Sequence, residues 1–261
     1  MKMKTIEMVQ LLKVESEKHT IMEDMVIAEY PLTIFLNGDE FITLLCSPNS
    51  LEYLVYGFLK SEGIIMKKDD VENVMIDEDK GFAHVTLKNR NPLSEELFGR
   101  RTMTTGCAKG VTFYNVTDTI QLRPVQSTFS VSIDDIWTLS KRLNSESELF
   151  KLTGGVHSCC LCDSSEILIM KEDVGRHNAL DKILGEVLVK GINLSDKMIL
   201  TSGRVSSEML IKTAKAGIPI IVSRSAPTAL AVKQAQHLNM TLVGFARGTR
   251  ANIYAGEQRI V

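Results

Sequence analysis

The second half of the chain alternates short apolar segments with longer amphipathic ones. The short segments predict buried strands, and the stretches between them carry apolar residues at helical spacing. Strands that alternate with helices indicate crossover connections and a mainly parallel sheet with helices on its faces. The sequence therefore predicts an α/β fold with ligands at the carboxyl ends of its strands. The predicted strands are 167–170, 198–200, 219–222 and 242–245, and the predicted helices are 178–190, 207–216 and 227–238.

A polar turn that contains arginine follows each of these strands. The turns are 172–178, 201–207, 223–228 and 245–250. Three of them lead into a helix, where free N–H groups and the helix dipole favour a bound anion. Guanidinium groups bind phosphate oxygens and stack on flat rings, which predicts a site for a nucleotide or a pterin. Alternatively, the arginines form surface ion pairs with acids such as Asp173, Glu208 and Glu257.

Two ring side chains each allow two interpretations. His177 lies between Arg176 and Asn178, where it could serve as an acid, a base or a ligand contact, or could cap its helix. Trp137 lies on the apolar stripe of a helix predicted over 133–150, and this position favours the core over a ligand platform.

Three cysteines crowd next to a histidine in the segment 157–162, which reads His-Ser-Cys-Cys-Leu-Cys. Structural zinc sites usually take well-separated pairs of ligands, and four ligands this close in sequence would be hard to arrange as a tetrahedron. The spacing argues against a metal site. It favours a loop in which Cys159, Cys160 and Cys162 are incidental.

A different cysteine, Cys107, is the candidate nucleophile. It lies between Gly106 and Gly110, which permit backbone conformations that other residues avoid. Lys109 and the pair Arg100-Arg101 provide the positive charge that lowers a thiol pKa and favours the reactive thiolate. The alternative is a small residue that fills a turn.

The first half of the chain predicts strands packed with one helix. Residues 1–29 show no clear period and predict only short strands and connections. Two strands, 30–36 and 40–45, are joined by the tight turn Asn37-Gly38, and further strands are predicted at 71–75 and 83–87. A helix follows Ser50, with Leu51, Leu54, Val55, Phe58 and Leu59 on one face. We therefore divide the chain into a smaller α+β section, 1–124, which contains the Cys107 loop, and an α/β cofactor-binding domain, 125–261.

Composition limits the function classes. The chain has 261 residues and a formal net charge of −2, which gives no bulk reason to expect nucleic-acid binding. Its five cysteines are a poor disulfide framework and fit a reducing compartment. The N-terminus lacks the apolar core of a secretory signal, and no segment approaches the ~20 apolar residues that cross a bilayer. We therefore expect a cytoplasmic protein that binds neither nucleic acid nor membrane.

Together, several motifs resemble the FdhD family of formate dehydrogenase accessory sulfurtransferases. They are Gly106-Cys107, 153–157 (Thr-Gly-Gly-Val-His), 172–182 (Glu-Asp-Val-Gly-Arg-His-Asn-Ala-Leu-Asp-Lys), Ser202-Gly203-Arg204 and the closing run 245–250 (Phe-Ala-Arg-Gly-Thr-Arg). The likeness runs from about Tyr30 to the C-terminus. The Glu-Asp-Val-Gly-Arg-His-Asn segment is long and unusual, which makes the resemblance specific.

The resemblance implies a sulfur carrier. Such a protein takes persulfide sulfur from a cysteine desulfurase and delivers it to the bis-guanine-dinucleotide molybdenum cofactor, its bound substrate, before that cofactor enters formate dehydrogenase. The resemblance also implies a cytidine-deaminase-like layered core, a homodimer and a cytoplasmic location, with no intrinsic metal expected. Some relatives have a Cys-x-x-Cys pair in the loop, but here Gly110 occupies the second position.

The same resemblance implies roles for particular residues. Cys107 would carry the persulfide. The cofactor would bind Phe245, Ala246, Arg247, Gly248, Thr249 and Arg250 of the closing run, and on the expected sheet edge we add Arg204, Arg176 and His177.

Two other functions compete with sulfur transfer. A zinc deaminase would need a His-x-Glu and a Pro-Cys-x-x-Cys motif, and neither string occurs in this sequence. A non-catalytic chaperone of the molybdenum cofactor would need the arginine turns but not Cys107. That alternative stays open at the level of sequence.

Overall fold

The main sheet is built from short segments that are apolar on both faces. The computed structural model describes residues 4–89, 102–103, 111–112 and 122–261. Its six-stranded sheet contains β9 (His157–Cys162), β10 (Ile167–Asp173), β11 (Met198–Thr201), β12 (Ile220–Ser223), β13 (Thr241–Arg247) and β14 (Arg250–Ala255). Every residue of β11 and β12 is buried, as expected for strands covered on both sides.

The strand order is β10-β9-β11-β12-β13-β14. The pairs β11/β12 and β12/β13 are parallel, whereas β10/β9, β9/β11 and β13/β14 are antiparallel. The predicted α/β class is confirmed, but the prediction of a mainly parallel sheet is wrong for three of the five ladders. The sequence pattern missed β9 and β14, which are the two strands that run against the others.

Helices cover both faces of this sheet. On one face lie α4 (Arg176–Lys190), α5 (Ser207–Lys215) and α6 (Ala229–His237), and on the other lies α2 (Ile133–Glu146). Alternate residues of β9 face opposite layers, since Cys159 and Leu161 join the first core while Cys160 and Cys162 join the second. The prediction of a loop at 157–162 is therefore wrong, because these cysteines belong to a fully buried strand interior.

The predicted helix 133–150 is two helices. α2 ends at Glu146, and α3 (Glu148–Thr153) begins after Ser147, whose extended backbone interrupts the helix. The Glu172 carboxylate of β10 accepts hydrogen bonds from the Leu149 and Phe150 backbone N–H groups at 3.0 Å. This contact caps α3 from a strand distant in sequence, and local periodicity could not reveal it.

The N-terminal part forms a second layer system. A four-stranded sheet has the order β4-β3-β6-β5, from β3 (Tyr30–Leu36), β4 (Asp39–Cys46), β5 (Val71–Asp77) and β6 (Phe82–Leu87), and it packs on α1 (Leu51–Ser61). These elements agree with the predicted hairpin, helix and strands.

Residues 6–27 form a ribbon of their own instead of the short strands that we predicted. β1 (Ile6–Glu15) and β2 (Lys18–Ile27) have ten residues each and pair along their whole length. Most of their side chains are exposed. The residues therefore lack the burial contrast that makes a strand pattern easy to recognise.

The two layer systems meet where α1 crosses α4. A Cβ atom on Gly57 would lie 1.7 Å from the Asp181 carbonyl oxygen, and one on Gly185 would lie 1.8 Å from the Tyr53 carbonyl oxygen. No side chain can occupy either position without separating the helices. Glycine at both positions lets the two backbones touch.

A buried ion pair lies beside this crossing. The Asp173 carboxylate and the Lys182 ammonium are 2.5 Å apart, and both side chains are fully buried. Asp173 also accepts a hydrogen bond from the Ser47 backbone N–H at 3.0 Å, and Lys182 donates to the Ser47 carbonyl at 3.0 Å and to Asn49 Oδ1 at 2.6 Å. The pair thus joins the segment before α1 to the main sheet.

The candidate nucleophile lies outside the described residues. β7 (Thr102–Met103) and β8 (Val111–Thr112) pair as a short antiparallel ribbon, and Cys107 belongs to the sequence between them. The division into sections 1–124 and 125–261 stays a prediction. Among the described helices, none combines the length and apolarity needed to span a bilayer.

Replacing Gly185 with alanine should destabilise the fold. Alanine is the better helix former, but its Cβ would overlap the Tyr53 carbonyl, and overpacking of this kind costs about 1–3 kcal/mol or more. Urea denaturation measures the change in the free energy of unfolding. The exposed substitution Gln236→Ala in α6 serves as the control and should change it by less than about 0.5 kcal/mol. Equal stability of Gly185→Ala and wild type would contradict the close contact between the α1 and α4 backbones.

Neutralising one member of the buried ion pair should be costly. Asp173→Asn leaves the Lys182 ammonium buried without its counter-charge, and broken buried pairs typically cost about 3–5 kcal/mol. The double variant Asp173→Asn/Lys182→Met removes both charges and should recover part of that loss. A double variant less stable than Asp173→Asn alone, measured by the same denaturation, would show that the pairing is not what matters.

Candidate functional site: the arginine edge and its cavity

The four turns that contain arginine lie along one edge of the main sheet. β10, β11, β12 and β13 all point the same way, because β9 is antiparallel to both β10 and β11. β9 starts at this edge, which places His157 between the ends of β10 and β11. From β10 to β13 the edge spans four inter-strand steps, or about 19 Å. We call this row of turns the arginine edge.

At one end of the arginine edge, two arginines surround a histidine. A Cβ on Gly203 would lie 3.1 Å from Arg176 Cβ and 3.4 Å from His157 Nδ1, so these residues are in close contact. Burial lowers the pKa of His157, and the charges of Arg176 and Arg204 lower it further against the opposing effect of Asp173. The imidazole is therefore neutral beside two guanidinium groups, one of which, Arg204, is exposed.

At the other end, Arg224 and Arg247 lie side by side. Arg247 Nε donates to the Arg224 carbonyl at 2.6 Å, and Arg224 Nη1 donates to Asn144 Oδ1 at 2.5 Å. Burial, and next the charge of Arg247, lower the pKa of Arg224. Two cations held this close to each other favour a bound anion between or above them.

The acids that could neutralise the arginine edge are engaged elsewhere. Asp173 pairs with Lys182, and Glu208 lies 3.8 Å from Lys212 and 3.4 Å from His177. Within the described part of the chain, no carboxylate forms a salt bridge with Arg204, Arg224, Arg247 or Arg250. The described residues therefore do not support the alternative of surface ion pairs for these four arginines.

A cavity of about 390 Å³ opens between α2 and the turn after β13. Its wall includes Arg247, Gly248 and Thr249 from the predicted closing run, and Arg224 from the neighbouring turn. Phe245, Ala246 and Arg250 are not part of that wall, and Ala246 is fully buried. The predicted cofactor contacts of these residues stay predictions.

Trp137 belongs to the wall of this cavity and not to the apolar cores. We expected Trp137 to lie in the core. The structure shows instead that its ring is only partly buried and borders the cavity. Its indole Nε1 is buried with no hydrogen-bond partner among the described residues. Sequence reasoning also missed Lys141 and Asn144, although helical spacing from Trp137 would have placed them on the same face.

The backbone of the closing run shapes the cavity. Phe245 has a left-handed φ of 54°, Gly248 has a φ of 59°, and the ladder between β13 and β14 is irregular here. The Phe245 N–H donates to the Ser225 carbonyl at 3.1 Å, and Ser140 Oγ donates to the Ala246 carbonyl at 2.5 Å. These bonds fix the turn against both the β12 turn and α2.

His177 faces the interior and not the cavity. Its Nε2 lies 3.2 Å from Ser206 Oγ and 3.4 Å from a Glu208 oxygen. Burial, then the charges of Lys212 and Arg176, lower its pKa to about 3, so the ring stays neutral. Its contacts join the start of α4 to the start of α5, and its predicted contact with the cofactor stays a prediction.

The four described cysteines are buried free thiols. Burial raises the pKa of Cys46 and of Cys162 to about 12, and raises that of Cys159 and Cys160 as well. A thiol that does not ionise near neutral pH is a poor nucleophile. None of these four is therefore suited to sulfur chemistry. Among the described residues, no three histidine, cysteine or acidic side chains are grouped to hold a metal ion.

Comparison with known proteins agrees with this architecture. A family model described as the FdhD/NarQ family matches residues 27–261. The protein named "Sulfur carrier protein FdhD" of Bacillus pumilus (strain SAFR-032) is 46% identical over 241 residues, which cover 92% of this chain and 92% of that protein. The protein of the same name from Bacillus subtilis (strain 168) is 42% identical over 239 residues, which cover 92% and 91%.

A solved structure shares the fold over almost the whole chain. The crystal structure of a protein from Desulfotalea psychrophila, provisionally named a formate dehydrogenase accessory protein, superposes with a TM-score of 0.83 at 26% identity and covers 99% of this chain and 100% of that one. The match extends through both layer systems. With a family model across residues 27–261 and relatives above 40% identity, the chain belongs to the FdhD/NarQ family.

Proposed function

We propose that the chain is a sulfurtransferase that carries sulfur as a persulfide on Cys107. In this proposal the sulfur comes from a cysteine desulfurase and passes to the bis-guanine-dinucleotide molybdenum cofactor, a substrate bound at the arginine edge, for the maturation of formate dehydrogenase. The names of its relatives, sulfur carrier protein and formate dehydrogenase accessory protein, support this function.

The observation that carries the proposal is the arginine edge. A cofactor with two dinucleotide arms brings several phosphates and flat rings, which need cations spread over a distance. The edge offers Arg204, Arg224 and Arg247 without carboxylate partners among the described residues, at the ends of three adjacent strands that span about 10 Å of sheet. Such a row favours a long, multiply charged ligand over a single small anion.

The burial of the other four cysteines supports Cys107 as the sulfur carrier. A persulfide carrier needs an accessible, easily ionised sulfur, and Cys46, Cys159, Cys160 and Cys162 are each fully buried. Cys107 has glycines and cations close in sequence. We therefore assign the sulfur chemistry to Cys107, which lies outside the described residues.

The proposed transfer needs no acid–base triad. The Cys107 thiolate attacks the terminal sulfur of the donor persulfide, a new S–S bond forms on Cys107, and the donor S–S bond breaks with release of its thiolate. Delivery of the terminal sulfur as a sulfide ligand returns the Cys107 thiolate, and the two electrons for that reduction come from the metal of the bound substrate. Both steps conserve atoms and charge.

In this proposal the protein is also cytoplasmic and forms a homodimer. A cytoplasmic location suits free thiols, since the four described cysteines form no disulfide with one another. The homodimer is what the resemblance to the FdhD family implies. The alternative function, a cofactor chaperone without sulfur chemistry, would use the same arginine edge and leave Cys107 unmodified.

Persulfide mapping distinguishes a sulfurtransferase from a cofactor chaperone without sulfur chemistry. After incubation with a cysteine desulfurase and cysteine, mass spectrometry should find a sulfur adduct on Cys107, and Cys107→Ser should abolish it. Cys160→Ala is the matched control, and it should keep the adduct because Cys160 is buried in β9. An unmodified Cys107 in a folded protein would favour the chaperone.

Removing a cation from the arginine edge should weaken retention of the cofactor. Arg204→Gln deletes an exposed guanidinium at the edge, and loss of one charge-assisted contact should reduce affinity about ten-fold or more. Molybdenum and guanine nucleotide retained after purification with the cofactor measure the effect. Arg123→Gln, an exposed arginine away from the edge, should retain as much as the wild type. Equal losses in the two variants would argue against a local site.

A further inference from the structure

The β1–β2 ribbon carries a dense group of exposed apolar side chains. Of the sixteen large apolar side chains that are exposed in the described part of the chain, seven belong to residues 6–27. A two-stranded ribbon is only marginally stable in water by itself, and a contiguous group of exposed apolar side chains marks an interaction surface. The ribbon is therefore a candidate docking element.

Most of these side chains share one face of the ribbon. The register places Met8 opposite Met25 and Leu12 opposite Ile21 on that face, and alternation along β1 adds Val14. These five side chains are 37% to 68% exposed, and we call them the ribbon patch. At about 3.4 Å per residue and with strands about 4.8 Å apart, the face is about 34 Å long and about 10 Å wide.

The ribbon is attached beside the arginine edge. β2 packs on α3, and a Cβ on Gly155 would lie 2.8 Å from Ile27 Cγ2. The chain runs from α3 directly to His157, which starts β9 at that edge. Two side chains of α3, Phe150 and Leu152, are also exposed. A protein bound to the ribbon is therefore held close to the arginine edge.

We propose that the ribbon patch docks the polypeptide that receives the bound cofactor, and that this partner presents a shallow apolar groove with basic side chains on its rim. The proposal rests on the proposed function, which puts the cofactor at the arginine edge. It adds the surface through which the recipient is recognised. No residue of the ribbon is among those predicted to contact the cofactor or to carry sulfur.

The charge of the ribbon indicates a basic rim on the partner. Residues 6–27 contain five acidic side chains and two lysines, a net charge of −3. One of the acids, Glu23, lies opposite Gln10 in the middle of the ribbon patch, where the partner must supply a cation or another donor. The same negative charge disfavours nucleic acid and the anionic surface of a membrane.

The area of the ribbon patch argues against a second copy of this chain as the partner. Two faces of about 330 Å² each would bury about 660 Å² in total, whereas a stable interface buries more than about 1,000 Å². Small interfaces are typical of transient encounters, and a protein that hands over a cofactor must release its partner. The proposed homodimer therefore needs a different surface.

Binding of the full chain to cofactor-free formate dehydrogenase, measured by biolayer interferometry, tests the proposal. Leu12→Ser/Ile21→Ser removes the centre of the ribbon patch and should weaken binding about ten-fold or more. The matched control Lys13→Ser/Thr20→Ser changes the neighbouring cross-strand pair on the opposite face and should change affinity less than about two-fold. Both variants should keep the thermal stability of the wild type and the sulfur adduct on Cys107.

Charge reversal tests the rim without removing any apolar side chain. Glu23→Lys should weaken binding about ten-fold and reduce its dependence on salt, because it places a cation against the basic partner. Asp24→Lys makes the same change on the opposite face of the same strand and should weaken binding only about two-fold.

Equal affinities of the wild type and Leu12→Ser/Ile21→Ser, or no binding of the wild type to the cofactor-free enzyme, would overturn the inference. A change in oligomeric state of that variant, measured by light scattering, would also overturn it, because the ribbon patch would then join two copies of this chain. These results would leave the proposed function standing if the adduct forms on Cys107. Absence of the adduct from a wild type that binds through the ribbon patch would count against the proposed function alone.

Discussion

The contact between the α1 and α4 backbones sets the position of the first turn of the arginine edge, which leads from β10 into α4. Gly57 and Gly185 allow the helices to touch, and the buried pair Asp173–Lys182 fixes the segment before α1 against the start of α4. Because α4 begins at Arg176, this crossing also places the first cation of the edge. A helix shifted outward by a single methyl group would carry that arginine with it.

Near the arginine edge, buried lysines pair with buried acids. The buried acids near the edge face lysines: Asp173 pairs with Lys182, and Asp181 pairs with Lys212 at 2.6 Å. Burial opposes the charge of Lys212, but Asp181, Glu208 and Glu62 raise its pKa above the ordinary value. With the acids held inside by ammonium groups, the guanidinium groups of Arg204, Arg224 and Arg247 have no carboxylate partner among the described residues. A planar, bidentate donor suits phosphate better than a point charge does.

The cysteines show how far local sequence can mislead. The run 157–162 contains three thiols beside a histidine and resembles a reactive or metal-binding loop, yet in the fold it is a central strand. Antiparallel pairing with β10 and β11 buries every one of its sulfurs between two helical layers. Burial raises the pKa of each thiol and makes it inert. Ionisation of the thiol makes an exposed cysteine a good nucleophile, and desolvation suppresses that ionisation here.

By itself, the sequence determined most elements, the α/β class and the turns that carry the arginines, because apolar spacing and strand-end composition are local properties. Only the tertiary structure decided the directions of β9 and β14, the break at Ser147, and the cavity that unites Trp137 with Arg247. Each of these depends on partners far apart along the chain, as when Glu172 caps α3 or the Ser47 backbone binds Asp173. The packing of whole layers determines these long-range contacts, and a local sequence pattern does not encode that packing.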